Sequence, residues 1–567
     1  MFKFELIKLI NSKILNSELR INLFLVLLMI FIASILEVIS IGAFLPLVEI
    51  VLGGKSGLLE NEIVNNNIFL SEFLKKISED RIIILGLVSF GFIIVFKNIL
   101  VFCFHYYREF INCKLQTSLV NNLFKKIMNK DYDNFYEKNS SIYYNLLVRE
   151  AGRTSHTINV FLHLFNEITV LFFVIAFLLI LQPVFTSTLV IIFFLVSLPI
   201  YILTKEKIKS MSSKRIIRDQ NVVKNITEAF SLFKYLKVHF LENSFLKSFN
   251  SNNFESNNLQ KNMSILQTLP RYYFEAITVI VFSGILIYIR PNGDSFEDML
   301  PLIAVFSFAG LRLLPLIKSV VMGLQEVKRG TPVVKSVCEE LTSDSLTHEI
   351  IEHKNFKKVL IKDLNFQYSD KVRILNKFNF EINSGDKILV QGQSGAGKTT
   401  FIDILIGVKK QNSGSIFLDE KEINSSLYKN TPISYIPQSS YLIDDTIQNN
   451  IIFPVEKYDE KYLKEIIRIV GLNNIIHSLP EKENTFLGEN GYKISGGQKQ
   501  RIIIARSLIL NPKILVLDEA TNALDIKSEA TIIKNIVSYF KDMTIFIISH
   551  RNLDEGLFNK TIKIGEN

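Results

Sequence analysis

Six stretches of mostly apolar residues fill the first 330 positions, near 22–52, 82–106, 158–181, 184–204, 266–289 and 298–325. A bilayer core about 30 Å thick takes about 20 helical residues to cross, and backbone polar groups inside it are satisfied only by helices or closed barrels. The pattern therefore predicts an all-α membrane domain with six spans. Charge sets its orientation. The segments 108–153 and 205–261 are long and rich in Lys and Arg, whereas "QPVFTS" and "RPNGDSFED" are short with little net positive charge. Cytoplasmic loops hold the excess of Lys and Arg, so both termini are expected in the cytoplasm.

The net charge of +9 has the same explanation. Its basic residues flank the spans and form no patch interleaved with aromatics, which argues against nucleic acid as a partner. Cys103, Cys113 and Cys338 have no metal-ligand spacing and lie in spans or cytoplasmic basic segments, so no disulfide framework is expected. The start, "MFKFELIKLINSKILNSELR", lacks the pattern of a signal peptide. Phe4, Ile7, Leu9 and Ile10 alternate there with Lys3, Lys8 and Lys13, as in an interfacial amphipathic helix. The loop 53–80 contains a second apolar stripe, Ile68, Phe69, Phe73 and Ile77, suited to lying along the outer surface or to packing.

The spans stop near residue 330, giving a division into a transmembrane domain (1–335), a polar linker (336–355) and a soluble domain (356–567). In the soluble part, short apolar runs such as "KVLIKDLNFQY", "KILVQG", "ISYIPQ", "KILVLDEAT" and "MTIFIISH" alternate with helical patterns. Continuous apolar runs bounded by turns fit strands buried on both faces, the mark of a mainly parallel α/β sheet. Between "KILV" and "FIDILIGV" lies "GQSGAGKTT", residues 392–400, which satisfies the phosphate-loop pattern. Gly392, Ser394, Gly395 and Gly397 let the backbone N–H groups wrap phosphates, Lys398 reaches the β and γ oxygens, and Thr399 and Thr400 open the helix, with Thr399 suited to ligate Mg²⁺. In "ILVLDEAT", Asp518 ends a buried strand where it can organise Mg²⁺, and Glu519 is placed to orient or deprotonate an attacking water. His550 closes the later strand "IFIISH", within reach of a γ-phosphate.

Taken in order, the phosphate loop, Gln438 of "YIPQSS", "ISGGQ", the strand ending in Asp518 and Glu519, "NALD" and His550 resemble the ATPase domain of ABC transporters. That resemblance implies that Gln438 senses Mg²⁺ and the membrane domain, that Tyr368 of "FQYSD" stacks on adenine, and that "TFLGENG" (485–491) is the X-loop of exporters. It makes Ser495, Gly496, Gly497 and Gln498 the signature that grips the nucleotide of a second ATPase domain packed head to tail. Ile494 stands where the signature usually has Leu, an apolar exchange that leaves the grip intact. One chain with one such domain then requires a second copy, a homodimer binding two ATP with Mg²⁺. Six spans before one ATPase domain resemble an exporter half-transporter, whose coupling helices would fall within 129–139 and 225–238.

Charges inside spans are costly and point to function. Here they include Glu37, Lys97, Arg271, Glu275, Arg312 and Lys318. Arg271 and Glu275, one turn apart, either pair with each other or leave Arg271 to join Arg312 and Lys318 in a basic lining for a phosphate or pyrophosphate group. With "LPRYYFEA", "LRLLPLIKS" and the outer-loop stripe, the membrane half is similar to the PglK-type flippases of lipid-linked oligosaccharides in bacterial N-glycosylation. This implies a polyprenyl-pyrophosphate glycan as substrate and the bacterial inner membrane as location, with membrane lipids around the spans. An exporter of lipid A-like lipids, drugs or peptides would carry the same ATPase motifs.

Overall fold

The computed structural model describes residues 17–44, 78–181, 183–289, 296–343, 356–369, 372–423, 431–439, 441–549, 551 and 553–565. The N-terminal amphipathic segment, the outer-loop stripe and His550 lie outside these residues, as do the side chain of Arg312 and the stretch 45–52 of the first expected span. Contacts divide the chain into two units, residues 1–130 with 135–345, and residues 131–134 with 346–567.

The first unit is helical. Its long helices are Ser17–Gly42, Glu79–Met128, Ala151–Leu181, Pro183–Ser231, Glu242–Ile289 and Phe296–Thr342. Among the described residues, four segments are long and apolar enough to cross a membrane: Arg20–Gly42, Asp80–Met128, Ser140–Leu181 and Thr186–Ser231. The fifth and sixth expected spans fall on Glu242–Ile289 and Phe296–Thr342, where many of the span side chains lie outside the described residues. The last helix continues to Thr342, into the stretch read as linker. Short helices at Tyr132–Tyr136 and Phe233–His239 occupy the two segments read as coupling helices.

Large apolar side chains such as Phe24, Val88, Phe92, Phe102, Phe172 and Val184 remain exposed along the spans, as expected of surfaces that meet lipid. Between helices the packing is tight. Gly330 lets Phe296–Thr342 approach Ala151–Leu181 so closely that a Cβ there would sit 2.1 Å from Thr157 Oγ1. Leu115, Leu119, Ile158, Val334 and Cys338 fill the core beside this crossing. Nearby, the buried Glu340 carboxylate takes both Lys130 and Lys138. Burial pushes its pKa up, but the two ammonium groups outweigh burial and hold it below the ordinary carboxylate value.

The second unit contains two sheets. Strands β3 (Lys387–Gln391), β6 (Ile433–Ile436), β7 (Ile514–Asp518), β8 (Thr544–Ile548) and β9 (Lys560–Lys563) form a parallel sheet in the order β6-β7-β8-β3-β9. β7 and β8 are buried at every position, matching their unbroken apolar sequences. The segment "KVLIKDLNFQY", read above with the parallel strands, instead lies in β1 (Lys358–Ser369) of an antiparallel sheet. Its partners are β2 (Val372–Asn383), β4 (Ser413–Leu418) and β5 (Lys421–Glu422), in the order β2-β1-β4-β5. The reason is visible in β1, where buried Val359 and Ile361 alternate with Lys358 and Lys362, giving a strand with one buried face. The helix Lys398–Ile406 buries Phe401, Ile402, Leu405 and Ile406 in a core shared with both sheets. The helix Gly496–Ile509 anchors a second core on the other side of the parallel sheet.

Candidate functional site

The site forms where β3 and β7 end. After β3 the chain turns through Gly392–Gly397 into the helix Lys398–Ile406. Gly392 and Gly397 are required there by both conformation and space. Gly392 has φ 156° and a Cβ would meet Ile564 O at 2.4 Å, while Gly397 has φ 97° and its Cβ would meet Ile374 Cγ2 at 2.1 Å. Gly395, at φ 80°, has nothing within 4 Å of that position. Ser394 lies in the same turn. Lys398 curls back over the loop, its Nζ donating to Gly392 O at 2.9 Å and to Gln393 O at 3.0 Å. This geometry makes a backbone cradle at a helix N-terminus that suits phosphate.

β7 delivers the acids. Thr399 Oγ1 donates to Asp518 Oδ1 at 3.3 Å, and Tyr435 OH donates to Asp518 Oδ2 at 3.0 Å. Burial raises the Asp518 pKa above the ordinary carboxylate value, against hydrogen bonds from Tyr435 and Thr399 that lower it. Burial and the neighbouring Asp518 charge push the Tyr435 phenol up, so it stays a donor. The Thr399 and Asp518 oxygens are hard ligands fit for Mg²⁺, which typically takes one or two protein oxygens and completes its shell with phosphates and water.

Glu519 follows at φ 51°, a left-handed conformation uncommon for a residue with a side chain and frequent at functional sites. Its N–H donates to Ile548 O at 3.1 Å. Gln438 Nε2 donates to Glu519 Oε2 at 2.7 Å, and Asn522 Nδ2 donates to the same oxygen at 3.0 Å. Two amides on one oxygen fix the plane of the carboxylate. The structure thus brings together Lys398, Thr399, Asp518, Gln438 and Glu519, as the sequence suggested.

Tyr368, on β1, stands beside the loop with its OH 3.0 Å from Thr400 Oγ1 and Lys409 Nζ 4.6 Å from its ring centre. Ser495, in the signature, caps its own helix. Its Oγ accepts from Gln498 N at 3.3 Å, and Gln498 Oε1 accepts from Ser495 N at 3.0 Å. This reciprocal cap holds the N-terminus of a 14-residue helix open, with Gly496 and Gly497 against Ala523.

These features match a known architecture. Across 97% of this chain and 95% of the other, the structure superposes on a bacterial Atm1-family ABC exporter with ATP bound, with a TM-score of 0.75 at 18% sequence identity. The chain has an ABC exporter fold. Residues 375–522 match the ABC transporter family model, a span containing the phosphate loop, the signature, Asp518 and Glu519. Putative export ATP-binding/permease proteins share the sequence more locally. That of Rickettsia prowazekii is 35% identical over 40% of this chain and 41% of its own length, and that of Rickettsia bellii is 28% identical over 61% of each. A putative multidrug export ATP-binding/permease protein of Staphylococcus aureus is 36% identical over 34% of each. The chain thus spans between about a third and three fifths of the length of these curated relatives.

Within the ABC exporter fold, the apolar unit has its own candidate site. A cavity of about 1090 Å³ lies among its helices. Lys318 lines it. Arg271 does not. Its Nε donates to Glu275 Oε1 at 3.1 Å on an exposed face, the pairing left open above. Arg108, His156 and His163, which the sequence reading passed over, line the same cavity. No local signal marks them, because their helices meet only in the folded unit. Tyr435 and Arg551 were missed around the nucleotide site for the same reason, and Asn522 was seen only as part of "NALD", without its contact to Glu519.

Proposed function

We propose that the chain works as a homodimeric, ATP-driven exporter that flips a polyprenyl-pyrophosphate glycan across the bacterial inner membrane. The observation that carries the ATPase part is the Glu519 carboxylate, fixed by Gln438 and Asn522 next to the Thr399–Asp518 pair. A water oxygen attacks the γ-phosphorus as its proton passes to Glu519, and the bond to the ADP oxygen breaks. Lys398 and the loop N–H groups hold the phosphates, Thr399 and Asp518 would hold Mg²⁺, Tyr368 carries the adenine, and His550 contacts the γ-phosphate. Mg²⁺ supplies charge neutralisation on the phosphate oxygens. Ser495, Gly496, Gly497 and Gln498 serve the nucleotide bound to the second copy. ATP binding favours the closed dimer, and closure reorients the cavity.

The cavity's charges support an anionic substrate. Its acids are already engaged: Glu37 accepts from Lys97 at 2.9 Å, Glu326 from Arg329 at 3.2 Å, and Glu167 from Asn166 at 3.4 Å. Its bases hold donors in reserve. Arg108 Nε is buried without a hydrogen-bond partner, and among the described residues Lys318 has no ion pair. These cations suit a pyrophosphate group whose lipid tail remains in the bilayer. The multidrug name of the Staphylococcus relative favours an alternative, export of drugs.

Liposomes carrying the full chain and a fluorescent lipid-linked glycan test the choice. ATP-dependent flipping is expected, lost in Lys318→Met. ATPase stimulation by hydrophobic drugs with no glycan movement would favour the drug exporter.

A further inference from the structure

Arg551 lies two residues beyond the buried Ser549, which follows β8, and its guanidinium reaches the loop that follows Glu519. Nη1 donates to Leu524 O at 2.9 Å and to Glu529 Oε2 at 2.6 Å, and Nη2 donates to Asn522 O at 3.0 Å. The buried Glu529 also accepts from Thr521 Oγ1 at 2.6 Å. On the other side of the loop, Ala523 N donates to Gln500 Oε1 of the signature helix at 2.9 Å. Residues 521–524 are therefore clamped from both sides. Asn522, in the middle of the clamp, is the residue whose side chain holds Glu519 Oε2.

We propose that Arg551 is a positioning residue for ATP hydrolysis, setting the orientation of Glu519 through Asn522. The inference rests on the ATPase reading above. Two carbonyls and a carboxylate around one side chain demand a planar fork of N–H donors, which lysine lacks. Lysine would keep a positive charge near Glu529 but release at least one carbonyl, freeing the Asn522 backbone to shift. A small displacement of a positioned group costs rate while leaving ligand affinity nearly intact.

A double-mutant cycle in the full chain, reconstituted in liposomes, separates this role from simple support of the fold. Rates are expressed per nucleotide-binding site, counted by titration with a non-hydrolysable ATP analogue. Arg551→Lys and Asn522→Ala are each expected to lower kcat about tenfold with KM for ATP changed by less than about twofold. The double variant is expected to fall no further than the worse single one. Multiplicative losses, or an unchanged kcat in Asn522→Ala, would overturn the proposal while leaving the ATPase reading in place. Absence of ATP hydrolysis by the wild type would overturn both.

Discussion

Gln438 and Glu519, 81 positions apart, are joined by a 2.7 Å hydrogen bond from the glutamine amide to Oε2 of the carboxylate. The bond holds the proposed base in one plane at the end of β7. It also ties that base to the loop after β6, so a movement of the loop changes the base's aim. Glu519→Gln keeps the shape of the side chain but removes its basicity. It is expected to retain ATP binding and to lower hydrolysis by about 10² to 10⁴, read by phosphate release and by retention of labelled ATP. Unchanged hydrolysis would remove Glu519 from the mechanism. Gln438→Ala is expected to cost less, about tenfold, because Asn522 still holds Oε2.

The phosphate cradle depends unequally on its glycines. At Gly397 a methyl group would press on Ile374 in a left-handed backbone, whereas Gly395 shares the backbone strain but faces open space. Gly397→Ala is therefore expected to weaken ATP binding at least about tenfold, and Gly395→Ala to cost only the backbone term of about 1–2 kcal/mol. Titration with a fluorescent nucleotide checks the difference. Equal losses at the two positions would show that the contact with Ile374 is unimportant.

Asp403, on the helix that begins at Lys398, has its pKa raised from 3.8 to about 6 by burial, with Lys409 pulling it down and Asp518 pushing it up. A carboxyl with a higher pKa in the fold binds protons more tightly there. Its contribution is full below pH about 4 and is lost as pH rises through about 6. At pH 7.5 the buried charge is a liability. Asp403→Asn is expected to raise the melting temperature of the full chain at that pH, by an amount corresponding to roughly 2 kcal/mol, with the advantage vanishing below pH 4. A variant that melts lower at pH 7.5 would contradict this.

The sequence by itself was enough for whatever depends on neighbouring residues. Unbroken apolar runs marked the spans and the buried strands β7 and β8, because bilayer thickness and two-sided burial act on contiguous segments. The phosphate loop was legible because its glycines, lysine and threonine act together over nine positions. The short helices Tyr132–Tyr136 and Phe233–His239 overlap the two segments in which the resemblance to exporters placed coupling helices. Tertiary structure alone decided which distant groups meet. It set Thr399 against Asp518, locked Arg551 onto the carbonyls of Asn522 and Leu524, and moved β1 into an antiparallel sheet. It also paired Arg271 with Glu275 and brought Arg108 to the cavity beside Lys318. The physical reason is that a hydrogen bond or ion pair is satisfied by proximity in space, and a span or strand reveals its own burial but not the partner waiting across it.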